Sequence, residues 1–166
     1  MKRLHTFDLR FGGAATRNQM DVFVNGKPLR DKLGIGSERT ISLLAGDHPQ
    51  FPAAMLFAQL LCEESPTSQT GRVHLYATCE VCADLDCGTI GVRVERMGDA
   101  VRWSDFVRMS PCWEDDVDPE TYTSAIGRNA TFHFNWESYR PALGPESARR
   151  KRDAELTEDI RRLSKL

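Results

Sequence analysis

Residues 89–106 read Thr-Ile-Gly-Val-Arg-Val-Glu-Arg-Met-Gly-Asp-Ala-Val-Arg-Trp-Ser-Asp-Phe, and this stretch decides the fold class. Ile90, Val92 and Val94 alternate with Arg93 and Glu95, the period of a strand with one face on a core and the other in water. Arg96-Met97-Gly98-Asp99 supplies a turn, and 100–106 returns as a second strand. The same period extends in both directions. Over 72–78, Val73, Leu75 and Ala77 alternate with His74, Tyr76 and Thr78. Over 131–136, Phe132, Phe134 and Trp136 fall on one side. Short connections between these segments favour an antiparallel meander.

Upstream the signals are mixed. Met20-Asp21-Val22-Phe23-Val24 runs into Asn25-Gly26, a strong hairpin signal because both residues tolerate positive φ. A short helix is expected over 29–33, stopped by Gly34 and Gly36, and a strand over 37–44. Pro52 opens a helix over 52–63, since proline's missing N–H costs nothing in a first helical turn. Met55, Leu56 and Leu60 belong to an apolar surface too wide for an exposed helix, which places it on the core. Asn135 is positioned to cap a short helix over 136–143, limited by Pro141 and Gly144. The expected architecture is α+β. An antiparallel sheet, built mainly from the second half, packs against these two helices, with Trp103 and Phe134 in the core. Residues 1–145 read as a single domain. Residues 146–166 read as a charged helical tail, on which Leu156, Ile160 and Leu163 recur at i, i+4 and i+7.

Composition bounds the function. The 166 residues are 40% hydrophobic and 28% charged, as in an ordinary globular domain, and the net charge of −2 opposes non-specific nucleic-acid binding. Neither a membrane-spanning apolar run nor an apolar signal core is found, so a cytoplasmic location is expected. Five cysteines, an odd number, agree with a reducing compartment.

Three of those cysteines fall in Cys79-Glu80-Val81-Cys82-Ala83-Asp84-Leu85-Asp86-Cys87-Gly88, between two expected strands. Cys79, Cys82 and Cys87 can supply three sulfurs to a zinc ion, the only cofactor the sequence suggests. A fourth ligand would come from Cys112, His74, His133 or Asp84, and spacing selects none of them. A thiol-exchange role through Cys79 and Cys82 needs a lowered thiol pKa, which Glu80, Asp84 and Asp86 oppose. The plainer account is a tight hairpin whose cysteines pack against the sheet. His74 and His133 are expected to share a water-facing side of that sheet.

Residues 108–128 have no regular period and read as a long mobile loop carrying Glu114, Asp115, Asp116 and Asp118. These acids are candidates for binding a basic partner, or else a solvated loop. The alternating oxygen pattern of a calcium loop is absent. So are a phosphate loop, a dinucleotide fingerprint and a serine-hydrolase elbow, and an enzyme therefore has little support. The basic cluster Arg149-Arg150-Lys151-Arg152 is followed at once by acidic residues, which suggests i,i+4 pairing on an exposed helix.

Several words of the chain taken together resemble a group of small, largely uncharacterised bacterial proteins. They are Gly71-Arg72-Val73 with Leu75-Tyr76, then Cys79-x2-Cys82-x-Asp84-x2-Cys87-Gly88 and Val92-x-Val94-Glu95. Val101-x-Trp103-Ser104-Asp105-Phe106 and Phe132-x-Phe134 follow, leading to Tyr139-x2-Ala142-Leu143. The resemblance implies a small cytoplasmic domain and carries no activity with it. In that group Pro-Glu usually follows the first cysteine and glycine is common nearby. Here Glu80-Val81, Ala83 and Asp86 stand instead.

The functional expectation is a non-catalytic cytoplasmic protein-binding module, of the kind that acts as an immunity protein against a toxin, whose acidic loop steers a basic protein partner. The alternatives are a small zinc-binding domain and a thiol-dependent oxidoreductase. Oligomeric state has no signature in the sequence.

Overall fold

The computed structural model describes residues 3–11, 20–35, 40–44, 50–79 and 85–144. Cys82, Asp84 and the tail expected over 146–166, with its basic cluster, lie outside them. The architecture is α+β, and the described residues form two antiparallel sheets and three helices. Strands β1 (Phe7–Phe11), β2 (Met20–Val24) and β3 (Lys27–Pro28) form the smaller sheet in that order. Asn25 and Gly26 both adopt positive φ, 51° and 74°, the type I′ geometry that matches strand twist in a two-residue hairpin. Helix α1 (Leu29–Leu33) follows and ends on Gly34 in the left-handed conformation.

The larger sheet contains β4 (Ile41–Ser42), β5 (Val73–Ala77), β6 (Thr89–Met97), β7 (Ala100–Met109), β8 (Thr123–Ala125) and β9 (Phe132–Asn135). Its order is β4-β5-β6-β7-β8, and β9 also pairs with β7. β7 is long enough to carry both on one edge: Ala100 to Trp103 pair with β9, and Val107 to Met109 pair with β8. Between these halves the β6–β7 register shifts, with Gly91 opposite Val107 but Arg93 opposite Ser104, and Asp105 takes φ 56°. This is a β-bulge, which bends the strand and re-aims its side chains.

Helix α2 (Ala53–Leu60), with Pro52 at its N-terminal boundary, and helix α3 (Trp136–Ala142), capped by the Asn135 side chain, pack on this frame. Trp103 and Phe134 are fully buried, as expected. Trp103 Nε1–H donates to Tyr139 Oη at 3.0 Å, and Tyr139 Oη–H donates to the Leu60 carbonyl at 2.8 Å. One hydrogen-bond chain therefore ties β7 to both helices. The Phe7 ring packs edge-on against Trp103, Phe134 and Tyr139, so the smaller sheet shares the same core.

A charged network also joins the sheets. Arg30 on α1 is fully buried, and its Nε donates to Asp21 Oδ2 at 2.5 Å. Its Nη1 donates to the Thr40 carbonyl at 2.6 Å and to Thr40 Oγ1 at 2.7 Å. Asp21 Oδ1 accepts from Tyr76 Oη on β5 at 2.6 Å and from the Val22 N–H at 2.7 Å. Burial pushes the Asp21 carboxyl up, while Arg30, Tyr76 and Val22 pull it back.

Several expectations need correction. A whole sheet forms from the first 28 residues, so the larger sheet is not the only one. Of the strand expected over 37–44, Ile41–Ser42 forms, and 37–39 lie outside the described residues. β5 does not face water on one side: all five of its residues are buried. One side of the strand is covered by the Asp21 contact to Tyr76 and by the Phe51 ring, 4.8 Å from the His74 ring.

Candidate functional site

The loop expected to be mobile over 108–128 is extensively braced. β8 pairs its later part to β7, and a 3-10 turn (Pro119–Tyr122) precedes that strand. The Asp118 side chain accepts from the Glu120 N–H at 3.0 Å and caps that turn. Gln69 clamps the loop with its amide. Its Nε2 donates to the Cys112 carbonyl at 3.1 Å, and its Oε1 accepts the Cys112 N–H at 3.3 Å. Cys112 is buried, and its thiol is directed at the carbonyls of Glu114 at 3.5 Å and Val117 at 3.7 Å.

The largest brace is Arg72, which is 3% exposed. Its Nη1 donates to Glu120 Oε1 at 2.7 Å and its Nη2 to Asp105 Oδ2 at 2.6 Å. The bulge in β7 delivers Asp105 to this position. Asp105 also meets Arg93 at 3.3 Å. Gly91 lies across from the bulge, and a Cβ there would come within 2.3 Å of Met109 Cε, 3.1 Å of the Val73 carbonyl and 3.2 Å of Arg72 Cβ. The Gly71-Arg72 and Ser104-Asp105 words of the sequence thus meet in space as a structural clamp.

Between this loop, the 67–70 segment and the ends of β5 and β6 lies a cleft of about 220 Å³. His74 and Thr89 line it, with His74 Nδ1 2.8 Å from Thr89 Oγ1. Burial pushes the His74 imidazole down to about 4, so it is neutral near pH 7. Asp86, from the 3-10 turn Leu85–Cys87, supplies the single charged side chain of the described lining. Trp113 stands at the edge with 77% of its surface exposed. Sites for drug-sized ligands and cofactors occupy roughly 300–1,000 Å³, so the cleft is sized for something smaller.

The two histidines of the sequence analysis do not meet. His74 is buried on β5, whereas His133 on β9 lies beyond β6 and β7, beside His5. The His5 N–H donates to the His133 carbonyl at 2.7 Å, which bridges the N-terminal segment to β9.

Of the cysteine cluster, Cys79 and Cys87 flank the end of the β5–β6 pairing. The Thr78 N–H donates to the Gly88 carbonyl at 3.1 Å, and Thr78 Oγ1 donates to the Cys87 carbonyl at 2.9 Å. Cys87 is exposed and Cys79 half-buried. Among the described residues no three His, Cys, Asp or Glu side chains group to hold a metal ion, and Cys82 lies outside those residues. Glu114, Asp115, Asp116 and Asp118 are all exposed on the braced loop. No described helix is long and apolar enough to cross a membrane.

Sequence reasoning missed Gln69, Arg72, Asp86 and Trp113 as site residues. A tryptophan immediately before an acidic run was a readable signal for Trp113. The roles of Gln69 and Arg72 depend on contacts distant in sequence.

No protein-family model, curated protein or solved structure matches the chain.

Proposed function

We propose that this chain is a non-catalytic protein-binding module of the immunity type, which neutralises a basic toxin through its loop at 113–118. The observation that carries the reading is Trp113, 77% exposed and immediately followed by acidic residues on a loop held by Gln69 and Arg72. Tryptophan is enriched among the few residues that dominate interface energies, and acidic neighbours steer encounter with a basic partner. A loop already fixed by buried anchors loses little freedom on binding.

The test is co-purification at low salt, with co-expression as a toxicity assay. The wild-type chain recovers one defined basic partner and suppresses its toxicity. Trp113→Ala lowers affinity roughly tenfold or more, as expected for an interface anchor. A partner retained equally by Trp113→Ala, or no defined partner across several lysates, overturns the reading.

A second reading, a zinc site using Cys79, Cys82 and Cys87, draws support from the adjacent ends of β5 and β6, beside which Cys79 and Cys87 lie. It is tested by elemental analysis of protein purified without chelator. One zinc per chain supports it, and metal-free protein with an unchanged melting temperature after chelation removes it.

A further inference from the structure

The start of the chain lies along one edge of the larger sheet, and a single side chain completes that contact. β9 pairs with β7 on one edge, and on the other His5 makes an isolated parallel bridge with Phe134. The His5 N–H donates to the His133 carbonyl at 2.7 Å, and the His133 N–H donates to Nδ1 of the His5 ring at 3.2 Å. A main-chain N–H can only donate. Nδ1 therefore presents its lone pair, and the ring proton sits on Nε2. A titratable nitrogen thus stands where an ordinary ladder has a carbonyl oxygen. The ring is half-buried and packs edge-on against Phe132 and Phe134, with centroids 5.4 and 6.4 Å away. The following residue has an anchor of its own. The Thr6 N–H donates to Asn25 Oδ1 at 2.8 Å, and the Asn25 N–H donates to the Thr6 carbonyl at 3.1 Å.

We infer that residues 3–5 form a pH-sensitive strap over the outer edge of β9, closed while the His5 ring is neutral and loosened when it takes up a proton. Histidine is the side chain type whose charge changes between pH 5 and 8. Protonation places a hydrogen on Nδ1, so two donors face each other across the contact. The His133 carbonyl lies 3.4 Å from Nδ1, long for a hydrogen bond, and already accepts the His5 N–H, so it is a poor replacement. The surrounding charges do not favour the imidazolium. Arg3 precedes it on the same segment, and His133 on β9 is directly opposite Arg102 on β7, which pairs with Glu95. The other charged groups of the elements around the strap are Asp8 and Arg10 on β1, Lys27 on the hairpin, and Glu137 and Arg140 on α3, which packs against β1. Among the described residues no carboxylate forms an ion pair with His5. Release stops at Thr6, because Asn25 holds it independently. What opens is the outer edge of β9, an edge of the kind that can take an added strand. β9 pairs with the half of β7 away from β8, so the inference is independent of the loop reading.

The experiment is amide hydrogen exchange of the full chain by NMR, with each rate divided by its intrinsic rate at the same pH. The quantity read is the protection of the His133 amide relative to that of Asn25, whose N–H is bonded to Thr6. In the wild type this ratio should fall about fivefold or more between about pH 7.5 and about pH 5. His5→Asn carries Oδ1 at the same distance along the side chain as Nδ1, an acceptor that does not titrate, and its ratio should stay within about twofold. His5→Phe keeps a ring without the acceptor, and its ratio should be low at both pH values. His74 titrates equally in all three proteins, so the comparison among them isolates His5. Loss of the pH dependence in both variants supports the inference. A wild-type ratio that does not move overturns it, as does a His133 amide already unprotected at the higher pH. The same pH dependence in His5→Asn or His5→Phe as in the wild type also overturns it, and assigns the titration to another group, such as the neighbouring His133.

Discussion

Among the described residues two arginines are almost wholly removed from solvent, and they do different work. Arg30 is 0% exposed, and its partner Asp21 is equally buried. Arg72 is 3% exposed, but the side chains of its partners Asp105 and Glu120 remain 43% and 45% accessible. The first pair is sealed between the two sheets, where each charge depends on the other. The second reaches out of the sheet and holds a surface loop by carboxylates that water can still solvate. Sealing makes a charge pair expensive to break. Partial exposure makes it a moderate anchor suited to positioning a binding loop.

The largest effect should come from breaking the sealed pair. Asp21→Ala strands the Arg30 charge and removes the acceptor for Tyr76 and Val22. The expected loss is about 3–5 kcal/mol, a large fraction of a typical domain's stability, read from urea unfolding. Asp21→Leu combined with Arg30→Met sharpens the point. The double variant should lose less than the sum of the two single variants, by about 1–3 kcal/mol, because no charge is left behind. Strict additivity would mean that the two side chains do not act as a unit.

His74, in the cleft wall, supplies the next effect. Burial lowers its pKa from 6.5 to about 4, so between these values the unfolded chain takes up a proton that the folded chain refuses. Stability from this group is complete above about pH 6.5. It falls as the pH drops, by about 1.4 kcal/mol per unit, and levels off below pH 4 after a total of about 3 kcal/mol. Carboxylates titrate in the same range, so the informative quantity is the difference between the wild type and His74→Gln. The variant should show a flatter stability profile from pH 6.5 to 4. Parallel profiles would show that His74 is not shielded in the folded chain.

The half-exposed clamp should matter less. Arg72→Gln removes the contacts to Asp105 and Glu120 but leaves both carboxylates accessible to water. The expected cost is about 1–2 kcal/mol, with a further signature confined to the loop: faster amide hydrogen exchange over 112–122. A loss as large as that of Asp21→Ala would erase the distinction between the two arginines.

How much of this was readable follows the range of each interaction. The hairpin at Asn25-Gly26, the 29–33 helix and strands β5 to β7 came from turn chemistry and periodicity, which act over a few residues. β1 carries the same alternation in Phe7-Asp8-Leu9-Arg10-Phe11, yet a segment of five residues with no Asn-Gly signal directly after it has little to distinguish it. The bulge at Asp105 interrupts a pattern that otherwise reads as a plain strand. The charged networks lay beyond reach altogether, because Tyr76 meets Asp21 across 55 positions and Arg72 meets Glu120 across 48. In a linear sequence Arg30 and Arg72 look like any other surface arginine. The same holds for the cleft, whose Gln69–Cys112 clamp spans 43 positions. Its acidic edge was legible because consecutive residues make it. The anchors that turn that edge from a loose loop into a fixed surface were not.

The smallest effect tests whether anchoring and charge can be separated within a single residue. Asp118 belongs to the acidic run, and its carboxylate also accepts at 3.0 Å the N–H of Glu120, the same residue that Arg72 grips. Asparagine caps a helical turn about as well as aspartate, whereas alanine cannot cap it. Asp118→Ala should therefore cost about 1 kcal/mol, while Asp118→Asn should leave unfolding within about 0.5 kcal/mol of wild type. On the binding side the order changes. Asn, like Ala, removes one charge and should slow association with a basic partner at low salt, and the slowing should fade as salt is added. Unchanged association rates for Asp118→Asn, and for the combined neutralisation of Asp115, Asp116 and Asp118, would limit the acids to shaping the loop and leave Trp113 as the source of recognition.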